Sequence, residues 1–463
     1  MTKTTPTISG RLADFAHQLR FEAIPQNAVD RAKHLMLDAI GIGMASNRFD
    51  FSKVIWNGIH ALGGTGKSSV IGHKTGLPLR DAILMNGALM HGMDYDDTHM
   101  KAIVHATSGC LPVALGVAQD TGASGKDALT AYVAGMEASV RIGVAAKGGF
   151  HHAGFHPTGV ITHFAATLIA GRLYGLDAAQ IQAAQGIAAS TAAATQVFLE
   201  EGTWSKRLHP GWGGVGGVTA VRLAQHGFVA PTRPYEGRYG LFESHLQENV
   251  KNVDYGDITR DLDHVWEVLS MAIKPYPVCH FIHCLAEAGE DLHHSKEFRI
   301  EDIARVQAYI PADTIPIVTE PVAKKRRPSS EYEAKFSAQY ASAVSLVRGK
   351  LGLAELRDDV LNDERVLRVS DMVEVIADPD TVFPQYFSGG LTVTTKDGLV
   401  FKRYHRVNKG AGERDLSNAD IAKKYMDTAT TAVSSAKAER IAELVLSMEK
   451  GDLKALWSEL ESV

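Results

Sequence analysis

Apolar residues recur every three or four positions along the first half of the chain, which is the spacing of one buried helix face. Gly and Ala are dense between Gly159 and Ala224, so we expect the helices there to pack with their backbones close together. Predicted helices begin at a Ser9 cap and at Pro25, and further ones cover 79–92, 110–121 and 124–144, the last of them capped by Ser124.

The pattern changes after about residue 263, where short segments alternate apolar and polar residues as strands do. Predicted strands cover 265–272, 306–310 and 372–376, predicted helices cover 278–292 and 331–348, and a hairpin joins 391–395 to 399–404. Helices return from residue 418.

We therefore predict a mostly α protein with an α+β part. Its large all-helical domain covers 1–265 and is completed by 410–463, and a smaller α+β lid domain covers the inserted residues 266–409.

Length, charge and cysteine content argue against several classes of protein. A chain of 463 residues is too long for one ordinary core, and a net charge of -5 does not favour a nucleic-acid partner. The cysteines Cys110, Cys279 and Cys284 have no CxxC spacing, which argues against a disulfide framework and for a reducing compartment. The first twelve residues lack the apolar core of a signal peptide, and no run of about eighteen apolar residues occurs. We therefore expect a cytoplasmic protein without membrane contact.

Two glycine-rich segments resemble nucleotide-binding motifs, but the first lacks the required spacing and the second lacks the required strand and acidic residue. A P-loop would need a glycine five residues before Gly66, where the chain has Ala61. Gly211, Gly213 and Gly216 spell G-x-G-x-x-G, but they follow no predicted strand, and no suitably placed acidic residue closes a dinucleotide site. We predict that these glycines serve close packing of helices.

A dense group of acids and imidazoles lies between two apolar helical runs. Because buried acids and histidines must be paired or hydrogen-bonded, such a group needs an explanation, and catalysis or metal binding supplies one. A solvated loop between two core helices is the alternative. The residues of the group are His91, Asp94, Asp96, Asp97, His99 and His105.

Three further positions carry candidate chemistry. His156 precedes a proline at a predicted helix start, where backbone amides favour anions, so it is a candidate for contact with an anionic ligand. The alternative is a histidine with a purely structural role. Lys206, Arg207 and His209 place three potential cations at another helix start, which would otherwise be a solvated turn. Lys274 lies at the end of an apolar predicted strand, where its ammonium group suits the binding of a ligand carboxylate. The alternative is a lysine at the protein surface.

Taken together, these segments resemble the MmgE/PrpD family, whose members include 2-methylcitrate dehydratase and cis-aconitate decarboxylase. The resemblance implies a helical domain with an α+β lid, usually a homodimer, and activity without an iron–sulfur cluster or other cofactor. It covers nearly the whole chain. The segments that carry it are DYDDTH with VHATSG, GFHPTGV, KRLHPGWGG with RLAQHGFVAP and EGRYGLF, IKPYPVCHFIH, and AKFSAQYASAVSLVRG.

The resemblance also implies a set of active-site residues. In our hypothesis His105 or His156 transfers a proton, Asp94 orients an imidazole or acts as base, and the lysines stabilise negative charge. The lid would contribute two of the side chains to a site between the domains, so that closure excludes water. The implied residues are Asp94, His105, His156, Lys206, Lys274 and Tyr340.

Three functions are compatible with the sequence. The first is a cofactor-independent lyase acting on a small di- or tricarboxylate, with a hydro-lyase favoured over a decarboxylase. The second is an isomerase that epimerises an amino-dicarboxylate such as iminodisuccinate. The third is a divalent-metal-binding protein. Its expected ligands are Asp94, Asp96, Asp97, His91 and His99. Expected partners of the lyase are an anionic carboxylate substrate and a second copy of the chain, without nucleic acid or membrane.

Overall fold

The computed structural model describes residues 7–461, which form a mostly α protein with a small α+β part, as predicted: 61% of the chain is helical and 9% is strand. The α-helices are α1 (Ile8–Gln18), α2 (Gln26–Ser46), α3 (Asp50–Gly63), α4 (Leu79–His91), α5 (Ala106–Thr121), α6 (Gly125–Ala145), α7 (Gly149–His152), α8 (Pro157–Leu173), α9 (Ala178–Ala188), α10 (Phe198–Glu201), α11 (Ser205–Gln225), α12 (Leu241–His245), α13 (His283–Ser295), α14 (Ile315–Thr319), α15 (Val322–Arg326), α16 (Glu331–Ala334), α17 (Ala338–Arg348), α18 (Asp358–Leu361), α19 (Glu364–Asp371), α20 (Asn418–Ala429), α21 (Ser435–Leu446) and α22 (Lys454–Glu461).

Strands are short and fewer than helices in this chain. They are β1 (Ser68–Val70), β2 (His73–Leu77), β3 (Thr98–His99), β4 (Met271–Ala272), β5 (Ile303–Ile310), β6 (Val373–Ala377), β7 (Gly389–Thr395) and β8 (Val400–His405). No helix within residues 7–461 is long and apolar enough to cross a membrane.

The chain divides into two compact units. The first contains the described residues up to Phe198, Trp204–Met271 and the described residues from Ser417 onward. The second contains Leu199–Thr203 and Ala272–Leu416. That the second unit acts as a lid stays a prediction.

Helix α8 is the centre of the first unit. Every residue from Pro157 to Gly171 is buried, because this helix is apolar on all sides and packs against α5, α6, α9 and α11. A helix surrounded in this way fixes its neighbours, so the ends of α5 and α11 are held relative to the end of α8.

Small residues allow α11 to approach its neighbours closely, as the sequence predicted. A Cβ atom added to Gly211 would lie 2.4 Å from the carbonyl oxygen of Leu84 in α4. One added to Gly213 would lie 2.7 Å from Cβ of Thr162 in α8, and one added to Gly216 would meet the ring of His163. The interpretation of the G-x-G-x-x-G run as a helix-packing feature is therefore confirmed.

Several element boundaries differ from the prediction. Thr7, not Ser9, caps α1 by accepting a hydrogen bond from the amide of Gly10, while the Ser9 hydroxyl donates to the carbonyl of Thr232. Ser124 caps α6 as expected, in a reciprocal pair with Asp127. Helix α5 begins at Ala106, a turn earlier than predicted.

The predicted strand 265–272 is wrong for most of its length. A 3₁₀ helix occupies Glu267–Ser270, and only the two residues of β4 form a strand. The amide of Val268 donates to the carboxylate of Glu137 at 3.0 Å, so a side chain from α6 takes the place of a strand partner there.

The second unit is a four-stranded sheet with helices packed against it. The strand order is β6-β5-β7-β8, with β5 parallel to β6 and the other pairs antiparallel. Helix α13 packs on β7 and β8, and α17 packs on β5 and β6. The predicted strands at 306–310 and 372–376 and the predicted hairpin are confirmed as β5, β6 and the β7–β8 pair.

The predicted helix 331–348 is divided into α16 and α17. Ser337 interrupts it because its hydroxyl donates to the carbonyl of Lys325 and accepts from the amide of Tyr340 at 2.9 Å. A serine used in this way starts a new helix instead of continuing the old one. The predicted helix 278–292 likewise begins only at His283, after the 3₁₀ turn His280–Ile282.

Candidate active site

The ends of four helices in the first unit present polar side chains to one another. His91 is the last residue of α4, His105 and His156 stand directly before α5 and α8 at the N-cap positions, and Lys206 lies in the first turn of α11. Because these four helices pack against one another, side chains more than a hundred positions apart in the chain come together.

Four imidazoles form what we call the histidine cluster: His91, His105, His156 and His209. The ring centroid of His91 lies 4.9 Å from that of His105 and 5.5 Å from that of His156, and the centroids of His105 and His156 are 5.9 Å apart. His209 lies 5.2 Å from His156. Apart from the partly exposed His209, these rings are buried, so they are shielded from bulk water.

Hydrogen bonds fix the orientation of two rings. Nδ1 of His91 donates to Oδ2 of Asp96 at 2.7 Å, and both side chains are fully buried. Nδ1 of His105 lies 2.7 Å from the carbonyl oxygen of Asp97. Because a carbonyl can only accept, this nitrogen carries a proton, and Nε2 of a neutral His105 ring is then unprotonated.

His156 and His209 are neutral at physiological pH. Burial lowers the pKa of His156 well below its ordinary value, and electrostatic coupling to the His209 ring and to Lys206 lowers it further. Burial, with contributions from His91 and Lys206, lowers the pKa of His209 to about 4. Their Nδ1 atoms are 3.0 Å apart, so one ring donates a proton and the other accepts.

A buried ion pair lies beside the histidine cluster. Nζ of Lys206 donates to Oδ1 of Asp94 at 2.6 Å, and both side chains are almost completely buried. Asp94 adopts a left-handed backbone conformation with φ of 52°, which is strained for a residue other than glycine. Arg207 stacks on the ring of Phe51 and donates to the carbonyl of Gly92, which holds the loop after α4.

Most of the loop from residue 92 to 105 is buried, although Lys101 is exposed, so the alternative of a solvated loop is wrong. Asp97 accepts from the hydroxyl and the amide of Thr107, and burial raises the pKa of this carboxyl to about 7. His99 lies 3.4 Å from the carboxylate of Glu267 and accepts from the amide of Ala102. These two side chains hold the loop in place.

Comparison with known families agrees with this arrangement. The MmgE/PrpD N-terminal domain matches residues 10–253, and the MmgE/PrpD C-terminal domain matches residues 276–450. The chain belongs to the MmgE/PrpD family. The resemblance seen in the sequence is thereby confirmed.

Similar proteins span the full length of this MmgE/PrpD chain. The cis-aconitate decarboxylase-like protein oryM of Aspergillus oryzae is 25% identical over 97% of this chain and 96% of its own. Cis-aconitate decarboxylases of Aspergillus terreus and Homo sapiens are 26% and 25% identical, over 96% of this chain and 93% and 92% of their own. The family and these relatives support a lyase of the dehydratase or decarboxylase kind.

Of the site residues implied by the MmgE/PrpD resemblance, the first unit contains four: Asp94, His105, His156 and Lys206. Lys274 and Tyr340 belong to the second unit, and both are buried. The hydroxyl of Tyr340 donates to the carbonyl of Glu355 at 2.8 Å, and burial raises its pKa. Participation of Lys274 and Tyr340 in the chemistry stays a prediction.

The five ligands expected for a metal-binding protein do not form one group within residues 7–461. Asp94 binds Lys206, and Asp97 and His99 have the partners described above. Side chains with ligand atoms close enough for one ion are instead His91, Asp96 and His105.

His91, Asp96 and His209 are absent from the residue set that the resemblance implied. The sequence carried a signal for His209, which follows Lys206 by three positions at a helix start and therefore shares its face. The pairing of His91 with Asp96 depends on the path of the loop, which residue types alone do not determine.

Proposed function

We propose that this protein is a cofactor-independent lyase that acts on a small di- or tricarboxylate by proton transfer at a carbon next to a carboxylate. The observation that carries the proposal is the buried Lys206–Asp94 pair beside three buried imidazoles. The reaction is either hydro-lyase chemistry of the 2-methylcitrate dehydratase kind or decarboxylation of the cis-aconitate kind. The relatives named cis-aconitate decarboxylase support the second.

The physical difficulty of such reactions explains the residue types. Negative charge develops on a carbon whose neighbouring carboxylate is already anionic and stabilises it poorly. Fixed cations and hydrogen-bond donors in a buried site stabilise that charge without reorganising in the transition state. Lys206 supplies such a charge and also suits a substrate carboxylate.

Proton transfer is assigned to the imidazoles. Because the proton on Nδ1 of His105 is held by the carbonyl of Asp97, Nε2 is the atom that can accept a proton from carbon. His156 is neutral before substrate binds, and an anionic carboxylate beside it raises its pKa toward neutrality. His156 can then hold or return the proton.

In this proposal Lys274 is a second cation that binds a substrate carboxylate, and Tyr340 donates a hydrogen bond to the substrate. We also propose that the protein acts as a homodimer, as the resemblance implies.

The test is a set of incubations in heavy water with citrate, 2-methylcitrate, cis-aconitate and iminodisuccinate, followed by proton NMR and CO2 release. Formation of a double bond or release of CO2 supports the lyase and distinguishes its two forms. Deuterium at the α-carbon with no loss of water or CO2 supports the epimerase alternative. No change in any of these acids contradicts the proposal.

A further inference from the structure

We infer that His91, Asp96 and His105 form a binding site for one divalent transition-metal ion, with His156 beside it. Each of the three side chains offers one ligand atom, and these atoms all lie within 4.8 Å of one another. Asp96 links the two rings, since Oδ2 is 2.7 Å from Nδ1 of His91 and Oδ1 is 3.9 Å from Nδ1 of His105.

The spacing is close to that of a bound ion. Metal–nitrogen bonds of about 2.0–2.1 Å in a tetrahedral site place the ligand atoms roughly 3.4 Å apart. Modest rotations of the side chains are enough to close the group around an ion. His156 lies outside this group of ligand atoms, and its ring centroid is 5.5 Å from that of His91 and 5.9 Å from that of His105.

An unused nitrogen in the site is a second observation that points to a ligand. Nε2 of His91 is buried and makes no hydrogen bond to any residue in the range 7–461. Buried polar atoms usually have a partner, and an imidazole nitrogen with a lone pair is a metal ligand.

The charge of the site suits a cation. The positive charge of Lys206 is paired with Asp94, while Asp96 contributes a carboxylate to the ion. Two imidazoles with one carboxylate suit Zn²⁺, Co²⁺ or Ni²⁺, whereas Ca²⁺ and Mg²⁺ prefer sites made of oxygen.

A bound ion would change the activity of the site. The imidazoles that transfer protons in the proposed function would become ligands, so metal-loaded protein should lose turnover. This consequence rests on the proposed function, but the binding of the ion does not.

Titration of chelator-treated, untagged protein with Co²⁺ alone tests the binding. We expect one equivalent per chain and the visible absorption of Co²⁺ bound by nitrogen and oxygen ligands, with displacement by Zn²⁺. His91→Gln and Asp96→Asn should each weaken Co²⁺ binding by at least about tenfold. The matched control is His163→Gln, because His163 is a buried histidine of α8 whose Nδ1 bonds the carbonyl of Gly159.

The outcomes separate the metal site from the proposed function. Absence of saturable Co²⁺ binding, or equal binding by His91→Gln and His163→Gln, overturns the metal site. If His91→Gln does not fold, Asp96→Asn gives the same comparison. Metal binding that depends on these side chains but leaves turnover of the acid unchanged supports the metal site and contradicts the role of the imidazoles in the reaction.

Discussion

The position of His156 is explained by chemistry better than by helix capping. It stands at the N-cap of α8, yet its side chain makes no capping hydrogen bond within residues 7–461, and its Nδ1 contacts His209 instead. Caps are normally Ser, Thr, Asp or Asn, because their side chains satisfy the free amides. A histidine that does not cap its helix is available for a ligand.

Replacing His156 should therefore affect turnover more than stability. We expect His156→Gln to lower turnover by roughly two to four orders of magnitude, because the proton-transfer group is lost. The thermal midpoint should stay close to that of the parent protein. His163→Gln, on the same helix and equally buried, should retain turnover. A large loss of thermal stability with normal turnover in His156→Gln would assign this histidine a structural role.

Lys206 differs from His156 because its partner is also buried. Lys206→Ala should abolish turnover, but it also removes the buried cation that is paired with Asp94. We expect a loss of about 3–5 kcal/mol in the free energy of unfolding. Adding Asp94→Asn to Lys206→Ala should recover most of that stability and none of the turnover. Urea unfolding and turnover of the single and double variants measure the two effects, and activity in either variant would remove Lys206 from the site.

The sequence alone indicated the residue types of the site but not its pairs. Lys206 and Asp94 are 112 positions apart, so no local pattern connects them, although each was a candidate within its own segment. Thr7 and Ser9 illustrate the same limit at short range. Both are good capping residues, and the choice of Thr7 depends on the tertiary bond between Ser9 and Thr232.

Among the helices, the crossing of α4 and α11 positions the site most directly, because the two helices carry His91 and Lys206. Gly211 lies at that crossing, and a Cβ atom there would be 2.4 Å from a backbone oxygen and 2.8 Å from a backbone carbon of Leu84. Backbone atoms cannot move aside as a flexible side chain can, so the helices would have to separate.

Gly211→Ala should therefore cost stability and turnover together. We expect a loss of about 2 kcal/mol or more in the free energy of unfolding, measured by urea denaturation, and a fall in turnover. Gly58→Ala is the matched control, because Gly58 lies in α3 with no described atom within 4 Å of the added Cβ. That variant should be unchanged or stabilised by up to about 1 kcal/mol. Equal effects of the two substitutions would refute the close-packing argument.

A buried histidine in α8 makes the stability of the first unit depend on pH. Burial, with a small contribution from His245, lowers the pKa of His163 below its ordinary value. In the unfolded chain the same histidine takes up a proton near pH 6.5, so the unfolded state binds more protons as the pH falls. His163 is neutral in both states at high pH and costs stability only below about pH 6.5.

His163→Gln should remove this part of the pH dependence. Between pH 7.5 and 5.5 the parent protein should lose more stability than the variant, by at most about 1.4 kcal/mol per pH unit. Urea midpoints at the two pH values give the comparison, and the difference between them cancels any constant effect of the substitution. His264→Gln, at a largely exposed position, should follow the parent. Parallel curves for parent and His163→Gln would contradict a buried neutral His163.

Long helices were predictable from sequence because the period of their apolar residues and the positions of their capping residues indicate the same boundaries. Helices α4 and α6 match the predicted 79–92 and 124–144 closely. The failures at 265–272 and 331–348 share a physical cause. In each case a side chain that bonds the backbone, Glu137 or Ser337, decides the local conformation, and such bonds are not visible in the hydrophobic pattern.

At the scale of the whole molecule, the change of period near residue 263 was enough to predict a helical part followed by an α+β part. The return to helices after residue 409 could also be predicted from the sequence, because a polar segment follows the hairpin. Association with a second chain is different. A surface that packs against another copy follows the same helical period as a surface that packs against the core.

Helix α11 has exposed apolar side chains on the side that faces away from α4 and α8. Leu208, Trp212 and Leu223 recur at helical spacing and are 37%, 57% and 41% exposed, although the opposite side of α11 is packed against α4 and α8. Trp is expensive to leave in water, and burying the exposed part of Trp212 is worth roughly 3 kcal/mol per copy. In a symmetric dimer the same patch is used twice. We predict that this side of α11 forms the homodimer contact.

Trp212→Asp should then convert the proposed dimer to monomer. Two buried carboxylates facing each other across the symmetry axis would repel each other, so the dissociation constant should rise at least a hundredfold. Sedimentation equilibrium of the parent and the variant measures it. Leu62→Asp is the control, because Leu62 is 90% exposed on α3 and lies outside this surface. Because α11 also carries Lys206, we expect some loss of turnover in the monomer. A parent protein that is monomeric at micromolar concentration, or a Trp212→Asp variant that remains dimeric, would contradict the assignment of this helix face.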